Sequence, residues 1–199
     1  QAQFTAPKIL VTGASGFIGQ HLKGRFPQAT ILNRTTHNVE RVESLKALVQ
    51  DVDVIVHLAA TNAGTSLNPS VAELVDGNIF MTSQLLEAVR LYSTKKPKII
   101  FMSTIHVYDK SSPVFTEEQR PKPNSMYGAM KYAQELLFDQ AAKAGHIQAV
   151  IFRTGHIYGP KSRPFHNSAI ATVCHKAHNN ETIDLYGRGK VEFDLTYID

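Results

Sequence analysis

The chain has 199 residues, of which 43% are hydrophobic and 19% charged, so it is long enough to bury a core and is not of the disordered class. Its net charge of +4 is spread along the sequence without a basic stripe, which argues against a nucleic-acid-binding protein. No apolar run reaches the length of a membrane span, and the first residues lack a signal-peptide pattern. The single cysteine, Cys174, excludes an internal disulfide, fits a cytoplasmic protein and is expected to be a small core residue.

Strand-like and helix-like segments alternate along the chain, and several of the strand-like segments are apolar on both faces. This pattern predicts an α/β fold with a doubly wound parallel sheet, Rossmann-like, covered by helices on each side. Two stretches break the alternation and are predicted to be long loops: 109–125, which holds three prolines, and 155–167. The predicted strands are 9–12, 30–32, 52–58, 98–102 and 149–153, and the predicted helices are 17–25, 42–49, 71–92 and 126–144.

A glycine-rich segment joins the first predicted strand to the first predicted helix. Gly13 is expected to allow the tight turn, Gly16 the approach of a pyrophosphate, and Gly19 the close packing of helix on strand. The helix N-terminus offers free N–H groups and a positive dipole end to phosphates. The spacing is GxxGxxG, and its place between strand and helix favours dinucleotide binding over an ordinary turn. The cofactor-binding residues predicted here are Gly13, Ser15, Gly16, Phe17, Ile18 and Gly19.

Asn33 and Arg34 follow the second predicted strand. NAD-preferring sites carry an acidic residue at this point, which bonds the ribose hydroxyls. Here the acid is missing, and an arginine favours a 2′-phosphate, so the pair indicates NADP somewhat more than NAD. The alternative is that Arg34 is only a surface residue.

Tyr127 and Lys131 are four residues apart on a predicted helix, and therefore lie on the same face. A tyrosine, whose pKa is ordinarily about 10, becomes a useful base only when a cation stabilises the phenolate. The strand that precedes this helix ends in two hydroxyls, Ser103 and Thr104, at the sheet edge where ligands of α/β proteins bind. Either hydroxyl can orient a substrate oxygen toward Tyr127.

These motifs belong to a larger set of matching stretches that runs through nearly the whole chain: residues 12–19, 53–60, Asn78 with 85–88, 101–108, 127–131, 153–160 and 185–199. As a set, and in this order, they resemble the extended short-chain dehydrogenases/reductases, in the NAD-dependent epimerase/dehydratase family that acts on nucleotide sugars. The resemblance implies hydride transfer with NAD or NADP, a nucleotide-sugar substrate and a homodimer.

The resemblance also implies roles for individual residues. Thr104, Tyr127 and Lys131 would form the catalytic set, and Lys131 would also hold the nicotinamide ribose. Asn78 would support the active-site end of its helix. Ser103, His106 and His156 are the predicted substrate-binding residues, and His106 lies where one group of relatives carries a second acid/base. The further residues expected to line the cofactor are Asn33, Arg34, Asn38, Val39, Leu58, Ala59 and Ala60.

Three departures from the family pattern bear on the substrate. Thr104-Ile105-His106 replaces the Thr-Asp-Glu of the 4,6-dehydratases, so dehydration is not expected. Phe193 stands where relatives carry an arginine that grips the substrate diphosphate. Residues 1–160 are interpreted as the NAD(P)-binding domain, and 161–199 as the start of a substrate-binding region that relatives continue further.

The sequence therefore predicts an NAD(P)-dependent epimerase or reductase acting on a nucleotide sugar. Two alternatives stay open: an NAD(P)-binding regulator without turnover, and a carbonyl reductase of a non-nucleotide substrate, which Phe193 favours. No metal site is predicted, since His175 and His178 lack companion ligands at suitable spacing.

Overall fold

The computed structural model of the protein describes residues 5–61, 69–109, 114–166, 168–184, 192 and 194–199. Its centre is a five-stranded, all-parallel sheet with the strand order β2-β1-β3-β4-β5. The strands are β1 (Ile9–Thr12), β2 (Thr30–Leu32), β3 (Val54–His57), β4 (Lys98–Thr104) and β5 (Gln148–Thr154). The predicted fold class and all five predicted strands are confirmed, although β3 is shorter than predicted and β4 runs on to Thr104.

Helices connect these strands, and hydroxyl side chains mark where several of them begin. The Ser125 hydroxyl accepts a hydrogen bond from the Gly128 amide at 3.1 Å, and Ser70 and Glu73 form a reciprocal capping box. Such caps satisfy amides that have no partner inside the helix. The α-helices are α1 (Phe17–Arg25), α2 (Lys46–Val49), α3 (Val71–Leu74), α4 (Met81–Tyr92), α5 (Met126–Lys143) and α6 (Ala169–His178).

Two predicted helices are less regular than their sequence periodicity indicates. A 3₁₀ turn at Val42–Leu45 precedes α2, and a π-helical segment at Val75–Phe80 joins α3 to α4. A π segment inserts an extra residue per turn and is frequent at functional sites. Here it contains Gly77, where an added Cβ would collide with the Thr61 side chain. The break in the long helix therefore brings its backbone against the segment that follows β3.

The main core fills the space between the sheet and its helices. Fully buried Leu10, Ile55 and Ile99 of the sheet pack with Leu85 of α4 and Phe138 of α5. The apolar positions of the helices are spaced to face the sheet, which is the physical basis of the predicted alternation. Among the described residues, no helix combines the length and apolar character needed to cross a bilayer.

The region after β5 differs from its prediction in two respects. The expected loop 155–167 contains a short strand, β6 (His156–Tyr158), which pairs in parallel with β7 (Leu195–Tyr197). Cys174, expected in the core, is exposed, because none of the described residues of α6 is buried. The predicted domain boundary at residue 160 stays a prediction. The β6–β7 pairing joins a strand before this boundary to a strand after it.

The strand order of the sheet reverses at one point, between β1 and β3. The connection after β1 leads toward the β2 edge of the sheet, whereas the connection after β3 leads toward the β5 edge. Ligands of open α/β sheets bind in the crevice at the carboxyl ends of the strands, at such a switch point. The glycine turn after β1 and the segment 58–61 after β3 both lie there.

Candidate active site and cofactor site

The turn between β1 and α1 leaves no room for side chains at two glycines. Gly13 has a φ of +71°, and a Cβ there would lie 2.6 Å from the amide nitrogen of Ala59. A Cβ on Gly19 would collide with the carbonyl oxygen of Gly13, so α1 packs on the turn itself and not only on the strand. Gly16 is the N-cap residue of α1, and its amide donates a hydrogen bond to the carbonyl oxygen of Gly13 at 3.1 Å. Predicted cofactor residues placed in this turn or the first helical turn are Ser15, Phe17 and Ile18.

The end of β3 is fastened directly to the end of β1. The Leu58 amide donates to the carbonyl of Thr12 at 3.2 Å, and the Ala59 amide donates to the Thr12 hydroxyl at 3.1 Å. The same hydroxyl lies 2.8 Å from Nδ1 of His57, which is fully buried. These bonds hold Leu58, Ala59 and Ala60, all half-buried, beside the glycine turn, as the prediction of a shared cofactor site requires.

Residues 34–40, after β2, line an open cavity of about 400 Å³. Asn33 folds this segment on itself, because its side-chain oxygen accepts bonds from the Thr35 amide and hydroxyl at 3.0 and 2.9 Å. Asn38 is exposed at the cavity, and its approach to the adenine stays a prediction. The Val39 side chain is 4% exposed and belongs to the main core, and its approach to the adenine stays a prediction.

Arg34 already has an anionic partner in this structure. Its guanidinium binds both carboxylate oxygens of Asp76, at 2.8 and 3.3 Å. Asp76 lies in the π-helical segment between α3 and α4, so the pair bridges the end of β2 and that segment. A 2′-phosphate at Arg34 would have to compete with this carboxylate. Asn78, two residues further on, is fully buried and donates to the carbonyls of Thr61 and Leu74 at 3.0 and 2.8 Å.

Tyr127 lies in the first turn of α5, half-buried, beside His106. Their ring centroids are 6.1 Å apart in an edge-to-face arrangement. Gly128 makes this approach feasible, because a Cβ there would collide with the carbonyl oxygen of His106. The helix that carries the phenol is thus packed against the turn that follows β4. His106 is exposed, and its contact with substrate stays a prediction.

Lys131, one helical turn after Tyr127, is 2% exposed. Its ammonium nitrogen lies 4.1 Å from the centre of the Phe101 ring, a cation–π contact beneath the sheet edge. Burial lowers the pKa of Lys131 to about 7, and the nearby Glu135 carboxylate opposes this effect. The pKa of His57 is lowered to about 3, first by burial and then by the Lys131 charge, so His57 is neutral at physiological pH.

The two hydroxyls at the end of β4 have different surroundings. Ser103 is 4% exposed, and its hydroxyl donates to the Glu135 carboxylate at 2.5 Å. Thr104 accepts from the His106 amide at 3.2 Å, a bond that does not use its own proton. Thr104 is therefore the better placed of the two to donate to a substrate oxygen. The Ser103 proton is committed to a buried carboxylate, and the contact of Ser103 with substrate stays a prediction.

The remaining predicted substrate residue, His156, is the first residue of β6, two positions beyond the end of β5. It pairs with Leu195 of β7 and is half-buried. It lies at the carboxyl edge of the sheet, as do Thr104 and the glycine turn. Phe193, the departure that bears on diphosphate binding, lies outside the described residues. The described residues include no cluster of three or more potential ligands for a metal ion.

Glu135 and Arg153 were missed in the sequence, although Glu135 bonds the predicted site residue Ser103 and Arg153 bonds Glu135. Glu135 is 3% exposed and forms a bidentate ion pair with Arg153, the shortest contact being 2.7 Å. One signal was available: Glu135 follows Lys131 by four positions and Tyr127 by eight, so all three share a helix face. No local pattern connects that face with Arg153, because the two residues meet only through the packing of α5 on the sheet.

Comparisons with known proteins agree with this arrangement. The sequence model of the NAD dependent epimerase/dehydratase family matches residues 9–199. A probable UDP-glucuronate 4-epimerase of Rhizobium meliloti is 26% identical over 96% of the chain, and a UDP-2-acetamido-2,6-beta-L-arabino-hexul-4-ose reductase of Pseudomonas aeruginosa is 30% identical over 96%. The chain spans 65% of the length of the first relative and 46% of the second.

Solved structures are similar as well. The UDP-glucuronic acid 4-epimerase of Bacillus cereus, in complex with UDP-glucuronic acid and NAD, superposes with a TM-score of 0.78 at 30% identity. That match covers 96% of this chain and 69% of the other. The UDP-glucose 4-epimerase of Thermotoga maritima, with UDP-glucose, superposes with a TM-score of 0.82 at 25% identity, over 96% of this chain and 69% of the other.

Proposed function

The chain belongs to the NAD-dependent epimerase/dehydratase family, and from this we propose that it is an NAD(P)-dependent epimerase or reductase of a nucleotide sugar. One observation carries the proposal. The glycine turn at the switch point of the sheet lies at the same edge as Thr104, Tyr127 and Lys131. A cofactor cradle and a proton-transfer group thus face one crevice.

The residues at the switch point fit a dinucleotide. Gly13 packs against the backbone of Ala59 and Gly19 against the turn itself, which keeps the turn tight, and the start of α1 offers backbone donors to a pyrophosphate. Leu58, Ala59 and Ala60 line the opposite wall. When bound, the nicotinamide ring supplies a hydride acceptor and donor. Relatives of known structure are complexes with NAD, which supports the same cofactor here.

The preference between NAD and NADP depends on Arg34. Its guanidinium suits a 2′-phosphate, and this supports NADP. The ion pair with Asp76 works in the opposite direction, because a phosphate would have to displace a carboxylate held at 2.8 Å. NADP binding is therefore proposed to require the release of Arg34 from Asp76.

The proton-transfer chemistry is assigned to residues of α5 and β4. Tyr127 takes the proton from a substrate hydroxyl, or returns it, at its phenol oxygen. The Lys131 ammonium favours the phenolate by its opposite charge. Thr104 donates a hydrogen bond to the same substrate oxygen and thereby orients it. Epimerisation would leave the cofactor unchanged after each turnover, whereas reduction would consume it.

The test is turnover by the Tyr127→Phe variant. With NAD, an epimerase should convert UDP-glucuronic acid or UDP-glucose to its epimer, measured by chromatography of the products. With NADH or NADPH, a reductase should reduce a UDP-linked keto sugar, measured by loss of absorbance at the NAD(P)H band. Loss of the phenol should lower kcat by about 10²–10⁴-fold, with NAD affinity nearly unchanged. Tyr132→Phe, the same change on the same helix, is the control and should retain activity.

Two other outcomes would select the alternatives. NAD binding by the wild-type protein without conversion of any sugar or carbonyl would identify a regulator. Reduction of simple carbonyl compounds, but not of nucleotide sugars, would identify a reductase of non-nucleotide substrates.

A further inference from the structure

An ionic cluster centred on a buried carboxylate lies next to the candidate active site. At its centre is Glu135 on α5, whose carboxylate accepts a 2.5 Å bond from the Ser103 hydroxyl. Arg153, at the carboxyl end of β5, donates to both oxygens of the same carboxylate through Nε and Nη2, at distances from 2.7 to 3.2 Å. Both carboxylate oxygens of Glu135 are thereby engaged.

The cluster extends to the turn that follows the catalytic strand. Nη1 of Arg153 donates to the Tyr108 hydroxyl at 2.6 Å, and the guanidinium carbon lies 5.1 Å from the centre of the Tyr108 ring. Tyr108 comes directly after the 3₁₀ turn Ile105–Val107 and is 4% exposed. The Glu135 carboxylate therefore joins α5 to the ends of β4 and β5, and Arg153 extends the cluster to Tyr108 after the 3₁₀ turn.

Each attachment point is adjacent to a residue of the proposed chemistry. Ser103 directly precedes Thr104 in β4. Glu135 follows Lys131 by one helical turn and Tyr127 by two, on the same face of α5. The carboxylate is thus one contact through which the helix carrying the phenol and the ammonium is held to the strand carrying the hydroxyl.

Stability alone does not explain the placement of this cluster. A buried ion pair loses much of its attraction to the desolvation of its charges, and apolar side chains of similar volume would hold the layers together about as well. Apolar contacts, however, are not directional, whereas three donors on one carboxylate specify both distance and orientation.

We propose that Glu135 is a positioning residue, which holds the Tyr127–Lys131 face of α5 at a set distance and angle from Thr104 through its bonds to Ser103 and Arg153. The inference rests on the proposed function, because it assigns Glu135 to that same reaction. Glu135 also makes a second, electrostatic contribution, since its charge favours the protonated form of Lys131 against the effect of burial.

The groups around Lys131 define what a titration would report. Tyr127 and Glu135 face it from α5, neutral His57 from β3, and the Phe101 ring from β4. Arg153 of β5 acts through its pairing with Glu135. Among these groups, Glu135 is the source of negative charge that raises the Lys131 pKa, so its neutralisation should lower that pKa.

The experiment compares Glu135→Gln, Ser103→Ala and a control in the full chain. Kinetics with NAD and a UDP-sugar give kcat and KM, and ¹³C NMR of the lysine side chains, assigned with Lys131→Met, gives the Lys131 titration. Asp139→Asn, which removes an exposed carboxylate from the same helix, is the control. Thermal melts verify that each variant is folded.

Glu135→Gln should lower kcat by about 10- to 100-fold with KM for NAD within about twofold, as expected for misplaced groups, and should move the Lys131 titration to lower pH. Ser103→Ala should lower kcat while leaving that titration in place, because the charges of Glu135 and Arg153 remain. Asp139→Asn should change neither.

Wild-type kcat and an unmoved Lys131 titration in Glu135→Gln would overturn the proposal. If Glu135→Gln fails to fold, Ser103→Ala becomes the test of the positioning role. An undiminished kcat in that variant counts against this role. If the wild-type protein shows no turnover, the proposed function fails. The Lys131 titration and NAD affinity of Glu135→Gln then still decide whether Glu135 controls this site.

Discussion

At the scale of single residues, the most unusual group is the ammonium of Lys131. It is almost completely buried and contacts the Phe101 ring, and its pKa is lowered to about 7 by desolvation. A charge in this position opposes folding, because water would solvate it better than the core does. Its retention in the chain is explained by the proposed chemistry, in which a cation beside Tyr127 favours the phenolate.

Lys131→Met should therefore stabilise the protein while reducing turnover. Between pH 7 and 10.5, the unfolded lysine holds a proton that the folded one has lost, so the wild-type stability contributed by this group rises with pH across that window. Methionine removes both the penalty and the pH dependence. We expect the free energy of unfolding, measured by denaturant titration at pH 7, to increase by about 1–4 kcal/mol.

The matched control is Lys143→Met, which removes an exposed lysine from the same helix. It should have little effect on stability or on its slope between pH 7 and pH 9. A Lys131→Met variant that is less stable than the wild-type protein, or that keeps the wild-type slope, would contradict the assignment of a buried lysine whose pKa is lowered to about 7.

At the scale of elements, the decisive contact is between the first turn of α5 and the turn after β4. Ser125 caps the helix, and Gly128 allows its backbone to reach the carbonyl of His106. Further along the same helix, Glu135 bonds Ser103 at the end of β4. The helix is thus anchored to the sheet both beside Tyr127 and two turns beyond it.

Gly128→Ala should separate these two elements. The added methyl group would occupy the place of the His106 carbonyl, so we expect a loss of about 1–3 kcal/mol of stability and a clear fall in kcat, with NAD affinity retained. Thermal melts and steady-state kinetics measure the two effects. Gly24→Ala in α1, where no atom lies within 4 Å of the new Cβ, should instead be neutral or stabilise by up to about 1 kcal/mol. Similar behaviour of the two variants would show that the close approach at Gly128 is unimportant.

At the scale of the whole molecule, the order of the sheet brings distant segments to one edge. The turn after β1, the segment after β3 and the ends of β4 and β5 meet there, although they are spread over residues 12–154. The Arg34–Asp76 pair connects the segment after β2 with the π-helical segment on the same side. A bound dinucleotide would contact several of these segments at once, and so should stabilise the folded chain as a whole.

NAD should accordingly raise the melting temperature. At a concentration of 100 times its Kd, a ligand of the folded state adds about 2.7 kcal/mol, which corresponds to about 5–10 °C for a chain of this size. Differential scanning fluorimetry with NAD and NADP, on wild-type and Asp76→Asn protein, measures the shifts.

Release of Arg34 in Asp76→Asn should increase the shift produced by NADP more than the shift produced by NAD. Equal changes for the two cofactors would exclude Arg34 as the 2′-phosphate contact, and no shift with either would leave the glycine turn without its proposed ligand.

Local patterns in the sequence were sufficient for the order of strands and helices, the glycine turn and the Tyr127–Lys131 face, because periodicity and short spacing express the geometry of one element at a time. Tertiary packing alone decided which residues from different elements meet. It joined Glu135 to Arg153, paired Arg34 with Asp76, turned the Val39 side chain into the core and left Cys174 at the surface. Such contacts depend on how the helices pack on the sheet, and no pattern within a single segment specifies the distance between residues of different elements.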